Sequence, residues 1–124
     1  MPHLVLRRSV QLDQAALEPR VERWGRAVIK IGDCWRRADG GALLVEGVVV
    51  ELARPLHPLA LVAVRDGDTV VRLWPLADVE RTAAVQRFLG LVARELQAFG
   101  CGPVRTTNIA IDRLEDLGLE LDLD

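Results

Sequence analysis

The sequence predicts an α+β fold: a mostly antiparallel sheet, in the order β-α-β-β-β-β-α-β, with two helices packed on one of its faces. Three observations lead there. Four apolar runs between Val28 and Trp74 are separated by Asp39-Gly40-Gly41 and by Arg65-Asp66-Gly67-Asp68. An Asp-Gly between β-branched runs signals a hairpin, because a tight turn needs positive φ and glycine adopts it freely. Farther on, Val85, Phe88, Leu89, Val92, Leu96 and Phe99 recur at helical spacing. Finally, 124 residues, half of them hydrophobic, suffice for one core: size scaling gives about 6,600 Å² of folded surface, two-thirds of the extended chain being buried.

Taken in order, His3 to Leu12 reads as a strand with Leu4, Leu6, Val10 and Leu12 on one period-2 face. Asp13 precedes one helical turn near Gln14 to Leu17. A helix with Pro19 in its first turn is expected to follow, its core side formed by Leu17, Val21, Trp24 and Val28. Within the central meander, Leu43-Leu44-Val45, Val48-Val49-Val50 and Leu59 to Val64 put large apolar groups on both faces, so those strands need cover on both sides. Arg54-Pro55-Leu56-His57-Pro58 reads as a crossing loop, since two prolines remove ladder donors. The second helix is expected from Asp78 as N-cap to Gly100 as stop. Val104 to Asp112 reads as a mixed, edge-type strand.

Residues 1–124 thus form one α+β domain, with 113–124 expected as a solvated, mobile acidic tail. Those twelve residues hold five acidic groups and one arginine, a balance of −4, whereas residues 1–40 hold eight basic and five acidic groups, a balance of +3. Such a tail could fold back on the basic part of its own chain or of a second copy.

Composition narrows the function classes. No run reaches the roughly 18 apolar residues of a membrane span, and MPHLVLRRSV lacks the pattern of a secretory signal, so a cytoplasmic protein is expected. Cys34 and Cys101 have no metal-site spacing and are expected as reduced thiols, Cys34 as a small hydrophobe in a strand. His3 and His57 cannot be placed beside either thiol, and no nucleophile–base–orienter set is recognisable. The expectation is therefore no catalytic residue, no metal site and no cofactor. Gly100-Cys101-Gly102 follows a helix where a phosphate-cradling loop would precede one, and reads as a helix stop.

Arg20, Arg23, Arg26, Lys30, Arg36 and Arg37 are interleaved with Trp24 and Trp35, the composition of a base-stacking platform. A net charge of −2 and a pI near 5.7 oppose that reading. The leading expectation is a non-enzymatic homodimer acting as a protein-interaction or adaptor-like module. Its apolar sheet face would pair with its own copy through the Val48, Val50, Leu61 and Val70 region. The first alternative is a small-molecule site between the second helix and the sheet, with Trp35, Arg36, Arg37, Arg72 and Trp74 as walls and anchors. The second is nucleic-acid binding through residues 20–37.

Overall fold

The computed structural model describes residues 1–15 and 17–124. Among them, eight strands form one sheet: β1 (His3–Leu6), β2 (Arg20–Trp24), β3 (Ala27–Arg36), β4 (Ala42–Glu51), β5 (Arg54–Leu56), β6 (Leu59–Arg65), β7 (Asp68–Leu73) and β8 (Val104–Thr107). Two helices join them, α1 (Ala83–Ala98) and α2 (Ile111–Asp116). The strands lie in the order β2-β3-β4-β6-β7-β1-β8, with β5 added to β4, and every strand pair is antiparallel. The mostly antiparallel α+β character matches expectation. The order of elements does not; α1 lies on the sheet against β1, β3, β4 and β7, while α2 packs on α1.

Both anticipated hairpins form. Gly40 has a φ of +74°, and Asp66 and Gly67 have φ of +51° and +83° in a two-residue turn whose flanks, Arg65 and Asp68, are paired. The segment 54–58 is not purely a loop. Leu52 and Ala53 turn the chain back with φ of +50° and +61°, so that Arg54–Leu56 adds to the end of β4 before Pro58 releases it.

The largest correction concerns residues 18–28, expected as a helix. Arg20–Trp24 is instead the edge strand β2, paired with β3 from Arg20 opposite Ile31 to Trp24 opposite Ala27. Its inward positions carry Arg20, Glu22 and Trp24. These are polar because they face charged groups of α1: Arg20 Nη1 lies 2.9 Å from Glu95 Oε1, and Arg87 Nε lies 3.4 Å from Glu22 Oε2. The Arg87 guanidinium stacks 5.1 Å above the Trp24 ring. Val21, expected inside, points outward and is exposed. The earlier helical turn is a 3-10 turn at Leu12–Gln14, and β1 ends at Leu6 rather than Leu12.

The core lies between the inner face of the sheet and α1. Leu4, Val71, Val62 and Leu43 form a continuous cross-strand row, and Leu73, Ala60 and Val45 form the next. All seven are buried. From α1, Val85, Phe88, Leu89, Val92 and Leu96 pack on these rows with no exposed surface, each contributing about 1.5–3 kcal/mol before entropy. The helix begins later than expected: Thr82, not Asp78, is the N-cap, its hydroxyl accepting from the Val85 amide at 3.2 Å. It ends at Ala98, so Phe99 leaves the helical phase and is exposed rather than buried.

Residues 113–124, expected as a solvated tail, pack on the domain. Leu114, Leu117 and Leu119 are buried, and Gly90 of α1 lets Leu117 approach closely enough that a Cβ there would lie 2.5 Å from its Cδ1. Asp124 pairs with Arg105 and Arg7, and hydrogen bonds from these two guanidiniums hold its carboxyl below the usual carboxylate range.

A second glycine sets the distance between helix and sheet. A Cβ on Gly47 of β4 would lie 2.6 Å from Phe88 Cε1, so the ring rests on bare backbone. Gly47→Ala is expected to cost about 1–3 kcal/mol, because the close-packed ring cannot retreat without disturbing α1. Urea denaturation should read this as a lower midpoint with an unchanged slope.

Candidate functional site

The strand pleat directs alternate residues of β3, β4, β6 and β7 away from α1. Register fixes which ones share a surface. Trp35, Leu44, Leu61, Arg72 and His3 form one cross-strand row, and Ala63, Val70 and Val5 lie in the next. Toward the β2 side, Val48 sits opposite Lys30 and Val50 opposite Val28. Val5, Val28, Leu44, Val48, Val50, Leu61, Ala63 and Val70 are all only partly buried, and no helix among the described residues packs over them. The four residues expected at a dimer interface, Val48, Val50, Leu61 and Val70, therefore share this outer face.

The face is not flat. Trp35, Arg36, Arg37, Leu44, Leu61 and Trp74 line a groove of about 340 Å³, floored by leucine and walled by the two indoles. The Trp35 indole is well exposed and its Nε1–H donates to Glu46. Arg37 Nε donates to Asp39 Oδ1 at 2.7 Å, and the same carboxylate oxygen accepts from the Gly41 amide at 2.9 Å, fixing the rim through the hairpin turn. Of the five expected binding residues, Trp35, Arg37 and Trp74 thus meet, and Arg36 borders the groove from a position that points to the other side of β3. Arg72 lies in the neighbouring depression, with His3, Arg65, Asp68 and Val70.

The groove is on the opposite side of the sheet from the place expected for it. The space between α1 and the sheet is filled by Phe88, Leu89, Val92 and Leu96, whose side chains leave no room for a ligand. Leu44, Glu46 and Ala63 were not singled out from the sequence. Their signal is the alternation Leu44, Glu46, Val48, Val50, which becomes readable once Gly47 is known to face Phe88.

The Arg-rich segment 20–37 is divided between faces. Arg20 and Trp24 face α1, Lys30 faces outward, and Trp35 and Arg36 project to opposite sides of β3. A shared stacking surface does not form from them. Among the described residues, no group of three or more His, Cys, Asp or Glu side chains is arranged to hold a metal ion, and no helix is long and apolar enough to cross a membrane. His57 is exposed between β5 and β6, and His3 Nδ1 lies 3.1 Å from the Met1 carbonyl.

Both cysteines are free. Cys34 is half-buried beside the irregularity in β3, where burial pushes its thiol pKa up and Arg36 partly offsets the rise. Cys101 is buried, and its thiol is likewise raised by burial, with the Thr69 hydroxyl 3.7 Å from Sγ opposing. Thiolate is the reactive form, so both should be sluggish nucleophiles at neutral pH. Ellman's reagent is expected to label Cys34 slowly and Cys101 only after denaturant is added. Prompt labelling of Cys101 in the native protein would contradict its placement.

No family model, curated protein or solved structure matches the chain.

Proposed function

We propose that the chain is a non-enzymatic protein-interaction module that acts as a homodimer, its two copies packed through the outer sheet face. The observation that carries this reading is the row structure of that face. Leu44 and Leu61 are cross-strand neighbours, Ala63 and Val70 pair in the next row, and Val48 and Val50 continue the same face of β4 beyond Glu46, with no helix over them among the described residues. Apolar patches of this kind on a small domain mark interaction sites.

Self-pairing is favoured over an unrelated partner by the charges of both signs set among the apolar positions. Arg72 ends the Leu44–Leu61 row, Glu46 separates Leu44 from Val48 along β4, Lys30 stands opposite Val48, and Asp68 lies near Arg72. A twofold axis makes contacts reciprocal, residue i of one copy meeting j of the other and j meeting i, so a face bearing both signs can complement itself. Two sheets packed this way would lie about 10 Å apart, with Val and Leu side chains interdigitated. Two unbridged thiols suit a reducing compartment, and we assign the protein to the cytoplasm.

A second reading is favoured by the groove itself. Two indoles, a leucine floor and Arg37 at the rim suit a small apolar acid. That reading gains ground if the chain is monomeric and if organic acids raise its melting temperature.

Size-exclusion chromatography with light scattering at micromolar concentration separates the two. The native chain is expected at twice its 13.7 kDa mass. Leu61→Arg, and separately Val48→Lys, are expected to return it to 13.7 kDa with an unchanged circular dichroism spectrum. A native monomer, or a dimer indifferent to both charges, would overturn the proposal.

A further inference from the structure

Residues 119–124 leave α2 at Gly118, where a φ of +74° turns the chain, and run extended beside β8, joined to it by one parallel bridge between Leu121 and Val104. Three backbone hydrogen bonds flank this single bridge. The Val104 amide donates to the Glu120 carbonyl at 2.9 Å, the Asp122 amide to the Val104 carbonyl at 3.0 Å, and the Asp124 amide to the Arg105 carbonyl at 3.1 Å.

From α1, Gln97 grips the same strand in both senses. Its Nε2 donates to the Glu120 carbonyl at 2.9 Å and its Oε1 accepts from the Glu120 amide at 3.0 Å. Arg7 donates from Nε and Nη2 to the Asp122 carbonyl at 2.9 and 2.7 Å. Its Nη2 also lies 2.7 Å from Asp124 Oδ1, and Arg105 Nε lies 2.9 Å from Asp124 Oδ2. Leu119 is buried beside Gly90, and Leu121 is partly buried.

A backbone ladder, a side-chain clamp on one peptide unit, apolar seats at alternate residues and cations for the residues between are the means by which sheet edges recognise extended peptides. We propose that the β8 edge, with Gln97, Arg7 and Arg105, is a peptide-binding site that residues 119–124 fill as a displaceable strap. In trans it takes an extended acidic segment of a partner protein with leucine at alternate positions. The chemistry of the occupant is that of the strand now lying there. Displacement is feasible because Leu119 is the one side chain of the strap that is nearly fully buried. The remaining hold consists of hydrogen bonds and ion pairs near solvent, the part of a fold that opens most readily and that salt screens. This site is separate from the outer sheet face and stands or falls independently of the dimer.

The probe is a fluorescein-labelled synthetic peptide GLELDLD, titrated by anisotropy into the full chain and into a full chain carrying Leu119→Gly and Leu121→Gly. Loosening the strap raises the fraction of open sites, so the double variant is expected to bind about tenfold more tightly than the native chain. Gln97→Ala added to that variant, or asparagine in place of both aspartates of the peptide, is expected to weaken binding several-fold. A well-folded double variant that ignores the peptide overturns the proposal, as does one that binds a scrambled peptide of the same composition equally well. If the double variant is unfolded, the peptide must restore its circular dichroism and melting transition, and failure to do so is equally fatal.

Discussion

A β-sheet has two faces, and among the described residues one sixteen-residue helix, α1, lies on this sheet. That constraint organises the molecule. α1 rests on β1, β3, β4 and β7 because Gly47 offers no side chain to the Phe88 ring, and the inner rows of leucine, valine and alanine are buried beneath it. The short α2 adds nothing to the far side, since it packs on α1. The opposite face therefore retains valines and leucines at positions a solvated face would fill with polar residues.

The two ends of the sheet are handled by different physical means. The β2 edge is held to α1 by charge: Glu22 lies between Arg87 and Arg94, Arg20 meets Glu95, and Arg87 also reaches Asp116 at 2.5 Å. Exposed arginines along the same strand discourage further pairing. The β8 edge is covered instead by a strand, residues 119–124, bound through backbone hydrogen bonds and the Gln97 clamp. One edge is blunted and the other is occupied, so an uncontrolled extension of the sheet is blocked at both.

How much of this was legible depended on whether the governing contact was local. The hairpins at 39–41 and 65–68 were readable because turn chemistry acts within four residues. The stripe of α1 was readable because five of its six expected positions face a uniformly apolar surface. Strand β2 was not, because Leu17, Val21, Trp24 and Val28 imitate helical spacing, while the true inward set, Arg20, Glu22 and Trp24, looks solvent-facing until Glu95 and Arg87 are placed opposite. Residues 113–124 hide their packing for a related reason: Leu114 lies in α2, Leu117 caps it and Leu119 follows the Gly118 turn, so no single period describes them. For the candidate site, Trp35, Arg37 and Trp74 share one groove, whereas Arg36 borders it from a position that points to the other side of β3. The face they occupy depends on the phase of β4, in which Leu43, Val45, Gly47 and Val49 turn toward α1.

The central claim is that the outer face meets its own copy, and isotope-filtered NOE spectroscopy on a mixture of labelled and unlabelled chains tests it most directly. Cross-peaks between copies are predicted from the methyl groups of Leu44, Val48, Leu61 and Val70, and none from the buried methyls of Leu89 or Val92. Intermolecular peaks absent from the outer-face methyls at millimolar concentration would contradict the account.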